Sequence, residues 1–147
     1  MATMSVQIIS FGYGHPEGAP EAHLTIDLRK HFRDPHVSPE MRYMTARDEL
    51  VRTTVMNTSG IRELVLALVT AVDAFSAGPS AVETTVAVGC AGGRHRAATV
   101  AMALAAVLSA DTTAADAVGL ADVAAARRLA HDVEVTHRDL DKDVISR

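Results

Sequence analysis

The chain contains no tryptophan, and aromatic residues make up 3% of its 147 positions. Its interior must be filled by Val, Leu, Ile, Ala and Met rather than by rings. One cysteine excludes an internal disulfide and fits a reducing compartment. No apolar run reaches the roughly 18 residues of a membrane span. The first residues lack the basic and apolar segments of a secretory leader. The expectation is a soluble, cytoplasmic protein with no membrane partner. Positive charge is also scarce: 14 Lys and Arg stand against 18 Asp and Glu, for a net −4. That balance excludes a general nucleic-acid coat protein but not a local basic patch.

What is present suits one domain, residues 1–147, with one core. Hydrophobic residues make up 48% of the chain. Residues 6–11, closed by Gly12 and Gly14, read as a first strand, and the alternation in 23–28 predicts a second. Between Arg29 and Ala46 runs a long polar stretch with two prolines, and so long a loop in a compact domain is usually functional. A short helix is predicted over 47–57. A longer one over 60–76 places Ile61, Leu64, Val65, Leu68 and Val72 on one face, with Ser59 as cap. A strand at 83–89, a helix at about 95–109, a helix from Asp111 or Thr112 to about 130 and a strand at 132–137 follow. This order predicts a single α/β domain: a small, mixed or mostly parallel sheet flanked by helices.

The most informative stretch is the strand-turn-helix at 84–109, which reads TTVAVGCAGGRHRAA over 84–98. Glycines allow a tight turn and a close approach. The first N–H groups of a helix are unpaired and favour an anion. Arg94, His95 and Arg96 add positive charge there, and arginine can grip a phosphate with two parallel hydrogen bonds. The turn lacks the G-x-x-x-x-G-K-[ST] of a Walker A loop and the G-x-G-x-x-G of a dinucleotide fold. Cys90 and Arg96 have the C-x5-R spacing of cysteine-dependent phosphatases, which defines an alternative enzyme reading. Gly89 and Ala97 depart from the residues such enzymes carry on either side, and a lone cysteine beside a strand is commonly a packing residue.

The motifs, taken in order, resemble a known family: the C-terminal domain of the RNase adapter protein RapZ. Gly89-Cys90-Ala91-Gly92-Gly93-Arg94-His95-Arg96-Ala97 is similar to its Gly-Cys-Thr-Gly-Gly-basic-His-Arg-Ser turn. Asp27-Leu28-Arg29, Asp34-Pro35-His36 and Pro39-Glu40-Met41-Arg42-Tyr43-Met44-Thr45-Ala46 resemble its polar loop. Ser10-Phe11-Gly12-Tyr13-Gly14 resembles its start, and His137-Arg138-Asp139-Leu140 its end. The likeness spans 6–140. It implies a non-catalytic, ligand-sensing α/β module that binds an amino-sugar phosphate, glucosamine-6-phosphate. It implies RNA as a second ligand, and a homodimer or higher homo-oligomer. Full-length members also carry a Walker A domain. The sequence given has none, so a standalone version is expected. The departures are Ala91, Ala97, Asp34, Ala46 and a longer connection over 109–131, and they bear on which anion binds more than on the fold.

The candidate ligand-binding residues are Arg29, His36, Arg42, Cys90, Gly92, Gly93, Arg94, His95, Arg96, His137 and Arg138. Arg96 is the principal candidate for the anion contact. His95 either donates to the anion or orients the turn. His36 is either a ligand contact or a structural histidine. Arg29 either enters the pocket or pairs with Asp27. Arg42 either reaches the ligand or ties the loop down through Glu40 or Asp48. His137 and Arg138 complete the pocket or face solvent. No catalytic residue and no cofactor is expected. No metal is expected either: histidine and cysteine spacings do not match metal sites, and the arginines repel cations. His15, His23, His31 and His131 read as surface or loop residues, and Met41, Met44 and Met56 as packing residues.

Overall fold

The computed structural model describes residues 3–80 and 82–146. Four strands, β1 (Ser5–Gly12), β2 (Leu24–Asp27), β3 (Thr84–Cys90) and β4 (Asp132–His137), form one sheet in the order β2-β3-β1-β4. All three pairings are parallel, so the sheet is wholly parallel rather than mixed. Register follows the period-two pattern. Val6 lies opposite Thr84 and Val133, and Ile8 opposite Val86 and Val135. These residues share the face that joins the helices in the main core. The other face carries Gln7 and Ile9 beside Thr85, Ala87, Glu134 and Thr136.

The helices are α1 (Glu49–Met56), α2 (Ile61–Ser76), α3 (Arg96–Leu108), α4 (Thr112–Asp116) and α5 (Ala121–Ala125). α3 is the central one, touching β1, β3, β4 and every other helix. Its alanines let those neighbours approach closely, and all its residues except Met102 and Ala105 are buried. No single helix among the described residues is long and apolar enough to cross a membrane. Met41 is buried, and Met44 and Met56 pack against the core.

Three local expectations need correction. Gly60, not Ser59, caps α2; its φ of +92° is where glycine is favoured, and α1 and α2 meet there at 82°. The helix expected to about 130 is broken into α4 and α5. Gly119 at φ +74° turns the chain, and the Leu120 amide bonds back to the Ala115 carbonyl at 2.8 Å. His131 is buried rather than a surface residue. Its Nε2 meets Asp73 Oδ1 at 2.8 Å, and its Nδ1 accepts from the Met4 amide. Arg127 also binds Asp73, tying the end of α2 to the start of β4.

A parallel sheet puts all its strand C-termini on one edge. Gly12, Asp27, Cys90 and His137 therefore end together. The polar loop, the glycine turn and the segment after β4 all leave from that edge, which is where open α/β sheets hold ligands.

Candidate functional site

The glycine turn is packed into the sheet edge. A Cβ on Gly89 would lie 2.4 Å from the Phe11 ring, and one on Gly12 would lie 2.4 Å from the Gly92 carbonyl carbon. Gly93 has φ +79°, and Gly92 and Gly93 are both buried. The amides of Tyr13 and Gly14 donate to the Cys90 and Ala91 carbonyls. Cys90 is 2% exposed, and its Sγ accepts from the Gly93 amide at 3.3 Å and the Ala97 amide at 3.4 Å. The turn thus closes around the sulfur.

The three basic residues that follow take separate roles. Arg94 reaches outward: its Nη1 donates to the Lys142 carbonyl at 2.9 Å and its Nη2 to the Tyr43 carbonyl at 2.7 Å. His95 is buried, with Nε2 at 3.0 Å from the Met41 carbonyl and 2.9 Å from that of Met44. Two acceptors on one nitrogen place the proton there. Burial pushes the His95 pKa down, against the two carbonyls, and keeps the ring neutral. Arg96 is 2% exposed. Its Nη1 donates to the carbonyls of Leu28, Arg29 and Phe32, each at 3.1 Å, and its Nη2 pairs with Asp34 at 3.2 Å. Arg96 therefore holds the polar loop from beneath, and it is the half-buried Arg94 that lines the cleft.

A cleft of about 860 Å³ opens above the turn. It is lined by His36, Val37, Arg42, Tyr43 and Arg94 from the loop and turn, and by residues 143–146 after β4. Arg42 is tied through its Nε to the His36 carbonyl at 3.0 Å, not through Glu40 or Asp48. His36 sits in a 3-10 turn, Pro35–Val37, capped by the Asp34 carboxylate.

The remaining predicted residues frame the cleft rather than line it. Arg29 chelates Asp27 at 2.7 Å and lies 3.8 Å from the centre of the Tyr13 ring. His137 Nδ1 meets Ser10 Oγ at 2.7 Å; burial and then Arg47 lower its pKa. Arg138 reaches Asp139 at 2.8 Å and the Gly18 carbonyl at 2.6 Å. His95 and His137 engage different groups, the Met41 and Met44 carbonyls and the Ser10 hydroxyl. Among the described residues no three His, Cys, Asp or Glu side chains converge as metal ligands.

Sequence reasoning missed Tyr43, Asp143 and Asp139. Tyr43 and Asp143 line the cleft; Tyr43 stands in the polar-loop motif without a role of its own, and Asp143 in no motif. Asp139 is completely buried, and it accepts from the Gly12 amide, Arg138 and Lys142. Burial alone would raise its pKa, but those donors outweigh it and hold the carboxyl at about 2. The only sequence signal was its place between Arg138 and Leu140.

A C-x5-R phosphatase needs an accessible thiolate and an arginine facing the same anion. Here the sulfur is enclosed by backbone amides and the Arg96 guanidinium is spent on carbonyls. The arrangement is that of a small parallel α/β binding domain whose basic cleft lies at the strand C-termini.

The family profile described as RapZ C-terminal domain matches residues 4–141, and the chain belongs to that family. It is 36% identical over 110 residues to a nucleotide-binding protein of Leifsonia xyli, covering 72% of this chain and 37% of that protein. A nucleotide-binding protein of Nocardia farcinica is 32% identical over 143 residues, covering 95% of this chain and 40% of the relative. One from Rubrobacter xylanophilus is 33% identical over 142 residues, covering 94% and 41%. The chain thus spans about two fifths of the length of the curated relatives it matches.

Proposed function

We propose that this domain is a non-catalytic regulatory module that binds a phosphorylated small molecule of the sugar-phosphate class. Arg42, Arg94 and His36 would hold the phosphate in the cleft. The observation that carries this reading is the gathering of three basic side chains on one wall of a cleft at the strand C-termini. The amide-lined turn and the His95 and Arg96 tethers support that wall from behind. Its members are then fixed before a ligand arrives, which lowers the entropic cost of binding. The relatives' shared description as nucleotide-binding proteins fits a phosphate-bearing ligand. Cytoplasmic location and a homodimer or larger homo-oligomer belong to the same reading.

The test is calorimetric titration with inorganic phosphate, glucose-6-phosphate and glucosamine-6-phosphate, on wild type, Arg42→Ala and Arg94→Ala. Binding of a sugar phosphate, weakened at least tenfold in both variants, is the expected result. Equal affinity in all three proteins would place the ligand elsewhere. A profile of light scattering against concentration checks the oligomer.

RNA is a second reading, favoured by how charge is sorted. Residues 29–62 hold seven Lys and Arg against four Asp and Glu, for +3; the rest of the chain holds seven against fourteen, for −7. Lys30 and Arg33 are exposed on the loop within that basic segment. Retention of RNA that falls steeply with salt and is lost in Lys30→Ala/Arg33→Ala is the expected behaviour. No retention at low salt would remove this reading.

A further inference from the structure

The segment that follows β4 doubles back across the cleft. Its root is the buried Asp139, whose Oδ1 lies 2.7 Å from Lys142 Nζ; Lys142 also reaches Glu17. The Lys142 carbonyl accepts from Arg94 Nη1, the guanidinium of the basic wall. Asp141 pairs with Arg47, with Nη2 to Oδ2 at 3.0 Å. Farther along, Ile145 rests on Gly14, where a Cβ would lie 2.5 Å from the Ile145 Cδ1 and 3.1 Å from the Ala91 carbonyl oxygen. Glycine at 14 is therefore the seat that lets an isoleucine lie against the turn. Asp143 and its neighbours then line the same cleft as His36, Arg42 and Arg94.

We propose that residues 141–146 form an anionic strap that closes over this cleft and competes with a phosphorylated ligand for its arginines. The proposal rests on the phosphate-binding reading above. Asp141 and Asp143 bring two negative charges to the rim of the basic wall. Arg94 spends Nη1 on the strap's neutral Lys142 carbonyl and Nη2 on the Tyr43 carbonyl, and a phosphate oxygen is the stronger acceptor, because charge-assisted hydrogen bonds are about twice as strong as neutral ones. The strap is held by contacts of the kind that open. Arg47 and Asp141 are 61% and 73% exposed, and exposed pairs contribute little. The Lys142 ion pairs with Asp139 and Glu17 anchor the root of the strap, and one carbonyl and one apolar side chain complete the latch beyond it. The ligand would displace the Lys142 carbonyl from Arg94 and lift Ile145 from Gly14. The strap then sets how much phosphate is needed to fill the site, and it presents a different surface once released.

The full chain is titrated with inorganic phosphate by calorimetry. The proteins are wild type, D141N/D143N, I145A, and D122N/D132N, which removes two equivalent charges far from the cleft. Both strap variants are expected to bind phosphate about fivefold more tightly, and the remote variant as wild type does. Hydrogen exchange of the 141–146 amides in wild type should rise at saturating phosphate. An I145A affinity equal to wild type overturns the strap, because loss of the latch must ease opening without changing charge. Equal tightening in D122N/D132N also overturns it, since the effect would then be general electrostatics. Both results leave the binding reading standing. If none of the four proteins binds phosphate or a sugar phosphate, the binding reading itself falls, and the strap with it.

Discussion

The Gly12 amide donates to Asp139 Oδ2 at 2.7 Å, joining the end of β1 to the second residue beyond β4. That bond sets where the segment after β4 begins its return over the cleft. Asp139→Asn removes the charge that Arg138, Gly12 and Lys142 share. The folded pKa of about 2 lies below the ordinary 3.8, so the carboxylate stabilises the fold above pH 3.8. That contribution, about 2 kcal/mol, is lost as pH falls from 3.8 towards 2. Urea unfolding of wild type and variant should differ by this amount at pH 7 and converge near pH 2. A gap that does not change with pH would contradict the assignment.

Gly93→Ala places a Cβ 2.9 Å from the Gly12 nitrogen and 3.0 Å from the Asp139 Cβ, at a φ of +79°. Backbone strain and overlap add, and the expected loss is about 2–4 kcal/mol. Gly18→Ala serves as the comparison: it also has positive φ, but no atom lies within 4 Å of its added Cβ. Thermal melts should rank Gly93→Ala well below Gly18→Ala.

Arg94 and Arg96 are two residues apart and should fail in different ways. Arg96→Ala strips the donor from three carbonyls and leaves buried polar groups behind, at a cost of about 3 kcal/mol or more. Arg94→Ala costs about 1 kcal/mol of stability but weakens phosphate binding at least tenfold. Paired denaturation and titration experiments separate the two. A fully stable Arg96→Ala that loses only binding would mean that Arg96 faces the ligand.

His95 and His137 both have pKa values lowered below 6.5, chiefly by burial. Their neutral forms are favoured in the folded state, so the unfolded chain takes up protons first as pH falls. Stability is complete above about pH 6.5 and declines as pH drops through 6.5 towards the lower folded values. A denaturation series from pH 8 to 5 should show this decline, and His95→Gln should flatten it in part. A stability that rises on acidification would reverse the assignment.

Cys90 is enclosed by the Gly93 and Ala97 amides and is 2% exposed. Its reaction with a thiol reagent under native conditions is expected to be at least a hundredfold slower than in urea. A fast native reaction would reopen the nucleophile reading.

Most of the architecture was readable from residue order. The strands at β1, β3 and β4 announced themselves by β-branched runs, and α2 and α3 by their apolar spacing. The break between α4 and α5 was not readable. Alanine-rich sequence satisfies a helix at every position, and Gly119 becomes a turn only because the chain must return to β4. The buried Asp73–Arg127–His131 cluster was hidden as well, since its members lie more than fifty residues apart at the extreme and meet only through packing. Motif spacing brought the basic residues to one edge, but it could not rank them. Arg94 and Arg96 look alike in sequence, and a single turn of chain sends one to the cleft and the other under the loop.

The sequence alone therefore determined the family, the α/β class and the cluster of basic residues after the strands, because these depend on local pattern and order. Tertiary structure decided which cations line the cleft, which carboxylate is buried and which segment borders the cleft. Those depend on burial and on the partners that distant segments supply. A guanidinium enclosed beneath a loop and one lining a cleft are the same residue until the chain has folded around them.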